Sequence, residues 1–198
     1  MGEEHNLREC IELVSTLIHD VDFMFTEAAT YETQAHSIKY RPTGDTAMTL
    51  LHGALEMFRH YERNGIVDDP YLVAMMKKKL DIDPPSSLKN AKSSLSKAFD
   101  LCAALAHRPG PRAGILEGKK FCEKNGYSIG AVEIVVRAIL SGREKLSLGI
   151  MEQEIREFAL KEGRLPKAAV QYGAGHTSAL EVPLNSLAAQ SRVLKPRV

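Results

Sequence analysis

Three observations on this chain of 198 residues predict an all-α fold, a single helical domain of about seven helices followed by an extended C-terminal arm. Apolar residues recur at three- and four-residue steps in one segment after another. Residues that helix ends require stand at most of the boundaries between those segments. No segment alternates with the two-residue period of a half-buried strand. With 44% hydrophobic and 26% charged side chains, the chain has enough apolar material for one domain core.

The elements follow in order. Leu7, Ile11, Val14, Leu17, Ile18, Val21 and Phe25 mark a long first helix whose opposite face carries carboxylates. Arg41-Pro42-Thr43-Gly44 breaks the pattern. Asp45 then caps a second helix that turns Met48, Leu51, Leu55, Phe58 and Tyr61 inward and closes at Asn64-Gly65. Asp68 or Asp69 opens a third, because Pro70 at the first helical position gives up an amide that would be unpaired anyway. It stops before Pro84-Pro85. Ser86 or Ser87 caps a fourth with Leu88, Ala91, Leu95, Ala98, Leu101, Cys102 and Leu105 inward, ending at Arg108-Pro109-Gly110-Pro111. Three more run over 112–125, 128–141 and 147–162, each followed by a glycine suited to a left-handed cap: Gly126, Gly142 and Gly163. The helical domain therefore covers 1–163, and 164–198 is the arm, poor in aromatics and basic, with a short helix near 186–194.

Charge is separated along the chain. Residues 1–38 hold eight acidic side chains against Arg8 alone, whereas residues 70–127 hold eleven basic ones against five acidic. Such separated fields suit charged partners, other copies of the same chain among them. Cys10, Cys102 and Cys122 are scattered and odd in number, which favours a reducing, intracellular setting over a disulfide framework. No apolar run reaches the roughly 20 residues of a membrane-spanning helix, and the start lacks a signal-peptide apolar stretch. Asn6 stands where myristoylation wants Ser or Thr. No membrane association is predicted.

Several groupings suggest chemistry and then fall short of it. His19-Asp20 is the kind of pair that metal-dependent phosphohydrolases carry on a helix, but the upstream histidine that chemistry needs is lacking, since His5 sits too near the terminus. His52, Glu56 and His60 rise along one helical face at four-residue steps, yet no second helix offers a Glu-x-x-His partner to complete a metal site. Asp81-x-Asp83 lacks the glycine and terminal glutamate of a calcium loop. The stretch from Phe121 to Val132 has helix-turn-helix spacing around Gly126, but its second helix is apolar nearly all round, where a base-reading helix needs polar side chains. No nucleophile is paired with a base and no glycine-rich phosphate loop occurs. The sequence therefore predicts a protein that is not an enzyme and has neither metal nor cofactor.

The basic block remains. Lys77, Lys78, Lys79, Lys89, Lys92, Arg108, Arg112, Lys119, Lys120 and Lys124 are the candidate contacts to a phosphate backbone, and they converge if their helices share a face. Lysines outnumber arginines, which suits point-charge contact better than bidentate base reading. Tyr71 and Tyr127 lie close enough in sequence to stack on single-stranded bases. Ser86, Ser87, Ser93, Ser94 and Ser96 lie among the lysines, where phosphorylation would weaken binding. The expected function is non-specific binding of nucleic acid, RNA rather than DNA, by a homo-oligomer whose acidic helix lies against the basic helices of the next copy. The alternative is a helical adaptor that binds a partner protein through the arm or the acidic first helix.

Overall fold

The computed structural model describes residues 19–26 and 40–171, and they divide into two compact units, 45–143 and a second made of segments from 1–44 and 144–198. The first unit holds α1 (Thr46–Asn64), α2 (Pro70–Leu80), α3 (Leu88–Leu105), α4 (Pro109–Lys124) and the N-terminal part of α5 (Ile129–Glu162). The second holds the rest of α5 with three short strands: β1 (Phe23–Thr26), β2 (Tyr40–Pro42) and β3 (Ala168–Gln171).

The capping chemistry works as the sequence indicates. The Asp45 carboxylate accepts from the amides of Ala47 and Met48, and Gly65 ends α1 with φ 72°. Asp69 accepts from Leu72 N at 2.9 Å, with Pro70 at the first position of α2. Ser87 accepts from Asn90 N at 3.2 Å at the head of α3. α3 packs most extensively on α1, burying Ala91, Leu95, Ala98, Phe99, Cys102 and Ala103, while α1 buries Leu51, Leu55 and Phe58 among others. α4 lies against α3, and Gly118 makes the approach possible: a Cβ there would meet Val135 Cγ1 at 3.1 Å and Phe99 Cε1 at 3.3 Å.

The structure departs from the sequence expectation at five points. Among the described residues there are five helices, not seven. The predicted first helix lies mostly outside them, and the helices predicted over 128–141 and 147–162 are one, α5. Gly142 does not end it, because this glycine is helical and serves contact: a Cβ on it would come within 3.0 Å of Met48 Cε. The described fold is mostly helical rather than wholly so, since Phe23–Thr26, assigned to the end of the first helix, is the central strand of a parallel sheet in the order β2-β1-β3. All four of its residues are buried, so no polar face alternates with the apolar one and the period-two signal is missing. Leu88 and Leu105, expected inside, are 41% and 44% exposed at the two ends of α3. Ile134 is 56% exposed, so α5, apolar nearly all round, is not buried on every side at that level.

In the second unit, Phe23 and Phe25 pack with Met151 of α5, and Phe158 meets Phe23 edge-on at 5.0 Å between ring centroids. The head of the predicted arm is part of this sheet, as β3; residues 172–198, with the helix expected near 186–194, lie outside the described residues. A polar clasp holds β3 beside β1. Both Arg164 guanidinium nitrogens NH1 and NH2 donate to the two Asp22 carboxylate oxygens at 2.8 Å, Lys167 N donates to the same carboxylate at 2.8 Å, and Asp22 N donates to Lys167 O at 2.8 Å. Arg164 also stacks over the Phe158 ring, 4.9 Å from its centroid. The Arg164 hydrogen bonds, opposed only by partial burial, hold the Asp22 carboxyl at about 2.

Two outcomes follow from this packing. Phe99→Ala should lower stability to urea by about 3–5 kcal/mol, because it empties a fully buried site, whereas Ile134→Ala should change it by about 0.5 kcal/mol or less. The clasp should depend on acid in one direction. Asp22 titrates lower in the folded state than its ordinary 3.8, so its contribution is complete above about 4 and fades as pH falls toward 2. Hydrogen-exchange protection of the β3 amides should fall over that interval in the native chain and be low throughout in Arg164→Ala.

Candidate nucleic-acid interface

The ten predicted basic residues all lie in the 45–143 unit, on α2, α3, α4 and their junctions. α3 and α4 run antiparallel. Lys92 Nζ donates to the Gly126 carbonyl at 2.8 Å and Lys119 Nζ bonds to both Asp100 oxygens at 2.6 and 2.7 Å, so early α3 meets late α4. On the other flank of α3, Lys97 Nζ donates to the Asp81 carbonyl at the end of α2, at 3.0 Å. The outward strip of α3, with Lys89, Asn90, Ser93, Lys97 and Asp100 exposed, therefore runs between the last turn of α2 and the side of α4.

Around that strip the cations fall into distinct states. Lys77 is closed in ion pairs with Asp81 at 2.8 Å and Asp83 at 3.1 Å, and those hydrogen bonds, Asp81 first, raise its ammonium above the ordinary lysine range. Asp100 does the same to Lys119, with Glu123 at 3.6 Å. Lys92 and Lys97 bond carbonyl oxygens rather than carboxylates, and beside Lys77, which chiefly holds the Asp81 carboxyl low, Lys97 comes close enough to help. Lys78, Lys79, Lys89, Lys120 and Lys124 are exposed, with no described carboxylate within ion-pair distance. Lys120 and Lys124 are four residues apart on α4, forming a ridge about 100° or more around the helix from Lys119.

The face does not include every predicted contact. Arg108 and Arg112 sit at the α3–α4 connection, about 20 Å along the helix from Lys92 at 1.5 Å per residue. Lys77 and Lys119 belong to the surface but are neutralised on it. Lys97, outside the expected set, lies on the same exposed ridge, which the four-residue step Lys89, Ser93, Lys97 marks in the sequence. Of the two tyrosines, Tyr71 is 77% exposed in the first turn of α2. Tyr127, at φ 53°, is half-buried with its hydroxyl enclosed, and burial raises its phenol above the usual range.

The other groupings are used for structure. His52 Nε2 lies 3.4 Å from Glu56, His52 Nδ1 faces Arg143 NH1 at 3.4 Å, and Arg59 bridges Glu56 to Glu133 on α5, where Arg63 also binds at 2.6 Å. The Arg59 guanidinium and the His52 ring both meet Glu56 Oε1, and the Arg143 guanidinium meets the other side of His52. Burial works against the Glu56 charge, but His52 and Arg59 outweigh it and hold the carboxyl low. His60 turns to Asp68 at 3.5 Å, and among the described residues no group of three or more His, Cys, Asp or Glu side chains is arranged to hold a metal. Burial pushes the Cys102 thiol up to about 12 and Cys122 to about 11, far from a reactive thiolate. No described helix is long and apolar enough to cross a membrane. Comparison of the chain with protein-family models, curated proteins and solved structures gave no match.

The packing of His52 predicts its behaviour toward zinc. Because Arg59 and Arg143 flank the site, added zinc should shift the melting temperature of the native chain no more than that of a His52→Ala, His60→Ala double variant, as read by thermal denaturation.

Proposed function

We propose that the protein is a non-catalytic, oligomeric nucleic-acid-binding protein that holds the phosphate backbone of RNA, without sequence preference, on the basic face of α2, α3 and α4. The observation that carries this reading is the group of exposed lysines Lys78, Lys79, Lys89, Lys120 and Lys124, whose charge no neighbouring carboxylate neutralises, around a strip where Lys92 and Lys97 add charge of their own. Each phosphate that displaces condensed counterions gains affinity without reading a base, and ammonium groups on flexible stems suit that contact. An intracellular setting fits the free, buried Cys102 and Cys122.

The test is affinity for a short RNA over a salt series. The native chain should show a steep linear fall of log K with log salt, and the Lys89→Ala, Lys120→Ala, Lys124→Ala triple variant should lose about 2 from the slope, at roughly 0.7 per single-strand contact. Asp100→Asn should steepen the slope by releasing Lys119. The mass in solution, by light scattering with and without the RNA, should exceed that of one chain in both cases. Failure to bind RNA at low salt would replace this reading with the adaptor that meets a protein through residues of the arm or the acidic N-terminal stretch.

A further inference from the structure

We propose that Tyr71 is a stacking platform for an unpaired base, and that the nucleic acid held on the basic face is therefore single-stranded, an inference that rests on the reading above. At 77% exposure Tyr71 is far more open than the next aromatic on that unit's surface, Phe121 at 37%. No described ring, ion pair or hydrogen bond engages its side chain. A phenol ring left in water on a stable helix exposes two apolar faces and gains little from the fold.

Its position relative to the cations gives it a use. Tyr71 and Lys78 are seven residues apart on α2, so they lie within about 20° of one another around the axis and about 10 Å apart along it. Between them lie Ala74, exposed and small, and Met75, whose side chain reaches toward Gly53 of α1. The two ends of α2 differ in sign. Asp68 and Asp69 stand just before the ring in sequence, whereas Lys78 and Lys79 close the helix, where Asp81 and Asp83 are taken up by Lys77. Phosphate is disfavoured at the tyrosine end and favoured at the lysine end, so the helix admits a base at one end and backbone at the other. A duplex keeps the faces of its bases inside the stack, and only an unpaired strand can lay one on a ring. Lys78 alone would hold either form.

The experiment compares Tyr71→Ala, Tyr71→Phe and a Lys78→Ala, Lys79→Ala variant on a labelled oligouridylate and on a duplex RNA of the same length, each over a salt series. Tyr71→Ala should weaken oligouridylate binding about tenfold, within the range of base–aromatic stacking, with the salt slope unchanged. Tyr71→Phe should restore the affinity, since the ring and not the hydroxyl stacks. Duplex affinity should be the same in all three tyrosine forms. The lysine variant should instead flatten the slope on both probes. Full oligouridylate affinity in Tyr71→Ala, or an equal loss on the duplex, would overturn the inference and leave the basic face standing. If the native chain bound neither probe at low salt, the basic face itself would fall, and the inference with it.

Discussion

The burial of one side of α3 against α1 decides where the lysines at the centre of the basic face point. Phe99, Leu95, Ala98 and Cys102 are enclosed, and Phe99 also meets the closest approach of α4 at Gly118. Once that side is fixed, the 100° step between helical residues turns Lys89, Ser93, Lys97 and Asp100 outward with no remaining freedom. The surface chemistry is thus a consequence of the core. A change that rotated α3 by one residue would bury an ammonium group and expose the phenyl ring, an exchange the fold opposes by several kcal/mol on both counts.

Within that arrangement two classes of lysine coexist a few residues apart. Lys77 and Lys119 are held by carboxylates from their own or an adjacent helix. Such surface pairs contribute little to stability, but they cancel charge locally. Lys78 and Lys120, the immediate neighbours in sequence, carry theirs into solvent. The net field therefore comes from the second member of each doublet, and the acidic residues of the block do not cancel it uniformly.

Much of the helical layout was legible from residues with a single physical task. Asp45, Asp69 and Ser87 each accept a backbone hydrogen bond at a helix head, and Gly65 and Gly126 take positive φ at helix ends, jobs that few other side chains perform as well. The failures share a cause. Gly142 has the composition of a cap but the role of a spacer, which only the position of Met48 reveals. Phe23–Thr26 is buried on both faces, so its pattern matches a helix end as well as a strand, and its pairing partners are distant in sequence. The candidate site was legible as a set of basic residues and not as a surface. Whether Lys119 is free depends on Asp100 arriving from the adjacent helix, and the isolation of Arg108 and Arg112 follows from the antiparallel hairpin.

The sheet joins segments far apart in sequence, since the Asp22–Arg164 contact spans 142 positions. During synthesis, at roughly 5–20 residues per second, Phe23–Thr26 leaves the ribosome on the order of ten seconds before Ala168–Gln171 can pair with it. Meanwhile the helices of the 45–143 unit, whose partners are local, can already close. Until then β1 has only β2 beside it, and its other edge stands open as a template for wrong pairing.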